Sequence, residues 1–272
     1  MTQPSDPAGH FLSLHRPGQP LLLPNPWDAG SARVLAWLGF EALATTSSGF
    51  AATLGLRDGS VNREQAIGHA TQIVGATPLP VSADLENGFA EEPEGVAQTV
   101  AAAIGAGLAG CSIEDFTGRA DEPIYDSSLA VARVAAAAEA AHSGEQRLVL
   151  TARAENHLHG RDDLGDTIAR LQRYSEVGAD VLYAPGLTRA DDIRAVVTCA
   201  DRPVNVLAMA GAPSVAELAD LGVARISVGG AFAVAALGAL AEAARELRAD
   251  GSFGYLRYSA IGREAANGGF PA

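Results

Sequence analysis

Not one lysine occurs in the chain: all 19 basic residues among its 272 are arginines, set against 32 aspartates and glutamates. A Schiff-base aldolase, a pyridoxal-phosphate enzyme and a Walker-type phosphate loop each need a lysine amine, so all three are excluded. Carbanion chemistry here has to lean on a metal. The net charge of −13 argues against a nucleic-acid surface and for small-molecule partners. No apolar run reaches membrane-spanning length, and Met1 to Gly9 has no basic stretch followed by an apolar one, so the expected location is the cytoplasm, away from membranes. Cysteine is down to two residues. Cys111 falls in an expected buried strand and Cys199 at a helix end, which reads as two inert core thiols rather than a disulfide or a metal site.

What the chain has in quantity is apolar side chains, 48% of the whole, enough for one large α/β domain or two smaller ones. Short apolar runs alternate with helical patterns throughout. The expected strands are Leu21 to Leu23, Ala42 to Thr46, Leu79 to Ala83, Cys111 to Ile113, Arg147 to Thr151, Val181 to Tyr183, Val204 to Leu207 and Arg225 to Val228. Helices are expected from Asp28, from Asn62 through Val74, over Pro93 to Ile104, Ser127 to Ala141 and Asp163 to Val177, and from about Ala190, Ser214 and Ala231. Strands that read as continuous apolar runs are those of buried parallel sheets. About eight such units over some 250 residues predict a (β/α)₈ TIM barrel. An open doubly wound sheet is the alternative, but no glycine-rich dinucleotide fingerprint follows the first strand. The expected division is an N-terminal extension over 1–20, the barrel over 21–250, and a glycine-rich polar tail over 251–272 that packs on a partner or stays mobile.

Barrel chemistry sits at the C-terminal strand ends, and two carboxylate pairs fall there. Asp84 and Glu86 close the third apolar run, two apart, so that on a strand they face the same way. Glu114 and Asp115 close the fourth. Carboxylates converging in one mouth repel one another unless a cation sits among them, and hard oxygen donors without a His or Cys cluster favour Mg²⁺, with Mn²⁺ as the other choice. The bland alternative is that these acids cap the helices that follow. The other polar strand-end residues are Ser47, Ser48 and Gly49, then Arg153, Glu155 and Asn156, and Asn205. Such a set suits an anionic substrate that chelates the metal at one end and meets Arg153 at the other. Arg153 could instead form a structural ion pair with Glu155, Asp58 could end a turn, and Asp28 reads as a helix N-cap. Tyr125 reads as a packing residue, and His157 and His159 as an exposed loop pair.

At these residues the chain resembles the isocitrate lyase/phosphoenolpyruvate mutase superfamily. The stretches that carry the likeness are Asn25-Pro26-Trp27-Asp28-Ala29, Ser48-Gly49-Phe50, Leu54-Gly55-Leu56-Arg57-Asp58 and Asp84-Leu85-Glu86-Asn87-Gly88-Phe89. Ile113-Glu114-Asp115, Ala152-Arg153, Gly178-Ala179-Asp180 and Leu221-Gly222-Val223 continue it in the same order along nearly the whole barrel. The resemblance implies Mg²⁺, a substrate that passes through a pyruvate-like enolate, and a homodimer or homotetramer whose last helix is often exchanged between subunits. It implies that Asp84, Glu86 and Glu114 hold the metal directly or through waters, and that Ser48, Gly49 and Phe50 bind the 2-oxo carboxylate. It further implies that Arg153 grips the enolate oxygen or a carboxylate, that Asp58 lines the site near a mobile loop, and that Asn205 lies near the substrate. Arg153, Asp58 and Glu114 are thus the expected catalytic residues.

One segment departs from that pattern. Lyases of this superfamily carry Lys-Arg-Cys-Gly-His or a close relative after the fourth strand, and the mutases carry a Lys and an Asn. This chain has Phe116-Thr117-Gly118-Arg119-Ala120-Asp121-Glu122-Pro123-Ile124-Tyr125-Asp126, with no Cys, Lys or His. The expectation is therefore a Mg²⁺-dependent carbon–carbon lyase or decarboxylase acting on a small 2-oxo or 2-hydroxy di-acid. Carbon–phosphorus chemistry on phosphonopyruvate is one alternative, and a barrel that binds an oxo-acid without turnover is the other.

Overall fold

A computed structural model describes residues 6–271 of the chain; the first five residues of the expected N-terminal extension and Ala272 of the expected tail lie outside the described residues. Eight strands, β1 (Leu21–Leu23), β2 (Leu43–Ala44), β3 (Val81–Asp84), β4 (Gly110–Glu114), β5 (Val149–Arg153), β6 (Val181–Tyr183), β7 (Val204–Leu207) and β8 (Arg225–Ser227), form one parallel sheet in sequence order. β1 pairs with β8 in the register Leu21 to Arg225. The Ala44 N–H donates to the Pro24 carbonyl at 3.1 Å and brings β2 round to the end of β1. The result is the expected (β/α)₈ barrel.

The helices are α1 (Pro7–Ser13), α2 (Ala29–Trp37), α3 (Ser47–Thr53), α4 (Arg63–Ala76), α5 (Pro93–Gly105), α6 (Ser127–His142), α7 (Leu164–Glu176), α8 (Ala190–Cys199), α9 (Val215–Asp220), α10 (Ala231–Ala249) and α11 (Arg257–Gly269). Asp28 and Asn62 start α2 and α4 as reciprocal capping boxes with Ser31 and Gln65, so both expected N-caps are present. Strand alternation sorts the side chains. Ala83, Cys111, Ile113, Leu150, Ala152, Leu182 and Val206 face outward and pack with Val96, Val100, Val134 and Ala137 of the helix layer. Each Leu or Val so buried contributes about 1.5–3 kcal/mol. The intervening positions, Ser82, Ser112, Thr151, Asn205 and Arg225, turn polar groups into the barrel.

α1 closes the N-terminal end. Phe11 is fully buried against Leu21, Ala42, Ala109, Val149 and Val181. Gly110 makes this possible: a Cβ there would stand 2.8 Å from the Phe11 ring and 3.0 Å from the Val149 carbonyl. At the other terminus, the residues read as a mobile or partner-bound tail include a helix, α11, which lies on α2, its Gly268 against the Trp37 ring. The spacing of glycines there is a close-approach surface, not a sign of absent structure. α10 stands off the barrel, with Ala233 its one buried residue and Phe232, Val234, Leu237, Leu240 and Leu247 exposed.

Several strand ends shift, β5 among them, which runs over Val149–Arg153 rather than Arg147 to Thr151. β2 ends at Ala44 because Thr46 leaves the strand to cap α3. β3 ends at Asp84, and Glu86 lies in the turn beyond it with φ +47°. Asp84 and Glu86 therefore do not share a face by strand alternation; a left-handed residue brings Glu86 back instead. Cys111 is buried as expected, whereas Cys199 is exposed.

Candidate active site

Arg153 is the last residue of β5, and its guanidinium lies among three carboxylates at the C-terminal mouth of the barrel. Nη1 meets Asp84 Oδ1 at 3.0 Å, Nη2 meets Glu114 Oε2 at 3.0 Å and Nε meets Glu155 Oε1 at 2.8 Å. Burial alone would lower its pKa, but Glu114, Glu155 and Asp84 outweigh burial and hold it well above the ordinary value. Arg153 thus forms the ion pair with Glu155 and, at the same time, stands at the barrel mouth between Asp84 and Glu114. Asp84 is fixed from three sides: its Oδ2 accepts from the Ser47 N–H at 3.1 Å, its own N–H donates to Thr45 Oγ1 at 2.9 Å, and Arg153 takes Oδ1.

Asp84, Glu114 and Glu155 meet this one cation, Glu86 lies near it, and Asp58 lies near Glu86. The imbalance shows in their acidity. Burial, then repulsion from Asp84 and Asp58, pushes Glu86 up to about 7. Burial holds Glu114 well above the usual carboxylate range in spite of Arg153. Glu86 Oε1 is buried with no hydrogen-bond partner. An all-oxygen, over-negative mouth with an unsatisfied buried oxygen fits a hard divalent cation. Among the described residues no three His, Cys, Asp or Glu side chains close on one point as a full cage. Asp84, Glu86 and Glu114 are the residues that would hold such a cation, with water completing its coordination.

Beside the acids is a cavity of about 190 Å³, lined on the β1, β2 and β8 side by Asn25, Thr45, Thr46, Ser47, Ser48 and Gly230, with Asp58 at its edge. Gly230 packs closely on Ser48: a Cβ there would stand 2.3 Å from Ser48 Oγ and would turn that hydroxyl aside. Ser48 shares a hydrogen bond with Thr46 Oγ1 at 3.1 Å. Gly49 and Phe50, expected to bind the substrate carboxylate, do not line this cavity. The Gly49 N–H goes to Thr46 Oγ1 at 3.3 Å, the Phe50 N–H goes to the Thr46 carbonyl at 3.0 Å, and the Phe50 ring stacks on His69 with centroids 4.0 Å apart. Asn205 is one layer lower: its Oδ1 accepts from Arg225 Nε at 2.9 Å and its amide donates to Ser227 Oγ at 3.0 Å. Asp58 is exposed and also accepts from the Gly59 N–H, so it ends a turn and lines the mouth together.

Asp115 does not join the mouth. It points outward between β4 and α7, bonded to Tyr174 Oη at 2.7 Å, Arg170 Nη1 at 3.1 Å and the Glu155 N–H at 2.8 Å. The two loop histidines are not an exposed pair. His157 contacts Thr167 and Asp162, and His159 stacks on Phe116 with centroids 3.7 Å apart and Nε2 3.6 Å from Glu155 Oε2. Tyr125 is buried under the Arg133 guanidinium, a packing role as read. The loop after β4 folds on itself through a Phe116–Ile124 bridge, and Arg119 ties it to Glu91 at 3.1 Å.

Sequence reasoning missed Thr45, Tyr183 and Arg225. Tyr183 lies under Arg153, whose guanidinium carbon is 5.3 Å from the ring centroid. A signal for Arg225 was present: a charged residue inside the apolar run Val223-Ala224-Arg225-Ile226 has to find polar company within the fold.

The profile of the family described as phosphoenolpyruvate phosphomutase matches residues 11–248. A candidate lyase/mutase from Burkholderia cenocepacia J2315 is 53% identical, with a TM-score of 0.93 over 96% of this chain and 95% of that one. An uncharacterized protein of Mycobacterium tuberculosis is 34% identical over 86% of this chain and 87% of its own length. The structure of 2,3-dimethylmalate lyase, described as a PEP mutase/isocitrate lyase superfamily member, shares 27% identity and a TM-score of 0.83 over 96% of this chain and 97% of that one.

Proposed function

The chain belongs to the phosphoenolpyruvate phosphomutase family, within the PEP mutase/isocitrate lyase superfamily, and from that premise we propose a Mg²⁺-dependent carbon–carbon lyase or decarboxylase. Its substrate is a small 2-oxo or 2-hydroxy di-acid, and its reaction passes through a pyruvate-like enolate. The observation that carries this reading is Arg153 held by Asp84, Glu114 and Glu155 at the edge of the cavity.

When bound, the metal would supply Lewis-acid polarisation of the substrate's 2-oxygen. Arg153 then faces the oxygen on which negative charge grows. Its three carboxylate partners fix the guanidinium beforehand, so no reorganisation is needed as charge develops. The hydroxyls of Thr46 and Ser48 meet the substrate carboxylate. Water protonates the product carbon, since the loop after β4 offers no Cys, Lys or His. Decarboxylation asks no more of the site than this.

The decisive experiment is calorimetric titration of oxalate, a mimic of the enolate, with and without Mg²⁺. Binding only with Mg²⁺, lost in Asp84→Ala, supports the reading and leads to assays on oxaloacetate and substituted malates. Binding indifferent to Mg²⁺, or none at all, overturns it. Phosphate released from phosphonopyruvate would turn the assignment to carbon–phosphorus chemistry, and tight oxalate binding with no product from any substrate would leave a binding protein.

The exposed apolar side chains of α10 fit exchange of that helix between two copies of the chain. Leu240→Glu is expected to halve the mass measured by light scattering; an unchanged mass would exclude the exchange. The free thiol on the surface, Cys199, suits a reducing, cytoplasmic compartment.

A further inference from the structure

Arg225 lies inside the barrel on β8 and is 3% exposed. Its Nε donates to Asn205 Oδ1 at 2.9 Å, Nη1 to His15 Nε2 at 3.1 Å and Nη2 to Thr151 Oγ1 at 3.1 Å. None of these acceptors is charged. His15 is neutral: Nδ1 donates to the Phe11 carbonyl at 2.9 Å, which leaves Nε2 as the acceptor, and burial together with Arg225 lowers its pKa to about 3. Arg153 and Arg170, also buried, each have carboxylate partners, and the buried Arg133 is met by the backbone carbonyls of Asn87, Ala90 and Glu91; among the described residues Arg225 has neither a carboxylate nor a backbone carbonyl. A guanidinium carries five N–H groups, of which three are used here, leaving one on each Nη. Burial lowers Arg225 to about 10, which still leaves it charged at neutral pH. A buried cation without a counter-charge is costly, so it calls for an anion.

The cavity supplies the path for one. Arg225 lines it, together with Ala44, Ser82 and Ser112. These small residues occupy interior barrel positions that bulky branched side chains ordinarily fill. Open space therefore runs from the carboxylates at the mouth inward to the guanidinium, and Tyr183, under Arg153, lines it too.

Resting on the function proposed above, we propose that Arg225 is the floor of the substrate cavity and takes the second carboxylate of the substrate, selecting short di-acids over mono-acids. The metal-binding end stays at the mouth with Arg153, and the far carboxylate accepts the two unused N–H groups of Arg225.

The test titrates oxalate, malate and lactate into the Mg²⁺-loaded protein by calorimetry. Oxalate reports the mouth alone, and malate differs from lactate by one carboxylate. Malate is expected to bind about tenfold or more tighter than lactate, as for a buried charge-assisted contact. Arg225→Gln is expected to erase that preference and leave oxalate affinity unchanged. Ser112→Val, which narrows the cavity that Arg225 lines without touching its charge, is expected to do the same and serves if the first variant does not fold. A malate preference that survives in either folded variant overturns the proposal, as does its absence in the unmodified protein. Oxalate failing to bind the unmodified protein would overturn the proposed function as well, so the two failures are distinguishable.

Discussion

Glu114 and Asp115 are consecutive residues with opposite surroundings. Glu114 faces into the barrel mouth, against Arg153, with Asp84, Glu86 and Glu155 as repulsive neighbours. Asp115 faces out, where Arg170, Tyr174 and the Glu155 N–H meet its two oxygens. Burial raises both carboxyls. The difference is in satisfaction: Asp115 has a donor for each oxygen and Glu114 has one cation shared three ways. A saturated buried acid holds structure together, and an under-satisfied one is left able to respond to a ligand.

The comparison can be broken most sharply at Arg153. Arg153→Met leaves Asp84, Glu114 and Glu155 without their cation and is expected to lower stability by about 3–5 kcal/mol, the scale for breaking a buried ion pair. Activity should vanish with it. Urea unfolding with and without Mg²⁺ checks this, and a loss that Mg²⁺ does not partly restore would mean the acids do not share a metal. Asp115→Asn comes next. It weakens the contacts to Arg170 and Tyr174 and is expected to cost about 2–3 kcal/mol, as for a hydrogen bond to a buried charged group, while Mg²⁺-dependent oxalate affinity stays put. Weakened oxalate binding at equal folding would place Asp115 in the site after all. Glu114→Gln should give the reverse result, about a tenfold loss of oxalate affinity with stability changed by under about 1 kcal/mol.

The effect that leaves the mouth untouched belongs to the plug end of the barrel. The pKa of His15 is depressed from 6.5 to about 3, so the unfolded chain takes up the proton first as pH falls. Its contribution to stability is fully present above pH 6.5 and is lost as pH drops toward 3, by at most about 1.4 kcal/mol per unit. Thermal melts across that window should show a shallower slope in His15→Gln. An identical slope would show that His15 is not the group that titrates, and either result leaves the acids at the mouth unaltered.

The fold was legible because burial imposes a period on every strand, and apolar runs alternating with capped helices admit few architectures. Arg153 and Asp84 were legible for a related reason: a charged residue that ends an apolar run stands at a barrel mouth. Spacing alone could not divide Glu114 from Asp115, because which of two neighbours faces inward depends on register around the ring. Glu86 escaped a strand-based reading since its left-handed backbone is invisible to a count of two. Gly49 and Phe50 lie off the cavity because the cap made by Thr46 takes up their N–H groups, which spacing does not reveal. Arg225 was passed over as part of a strand, although its partners His15, Thr151 and Asn205 come from three separate stretches of chain.

The hydrogen bond from Arg225 to His15 joins residues 210 positions apart, and the same two regions meet where β8 pairs with β1. Loop closure of that length is paid entropically before the contact returns anything, which puts ring closure late in folding. On a ribosome, His15 emerges long before Arg225 exists. Between the synthesis of β5 and that of β8 the plug helix therefore has its apolar neighbours from β2 and β5 but not its cation. The anion-binding floor is completed only by the last strand, so a nascent or truncated barrel can be well advanced in structure and still unable to engage a di-acid.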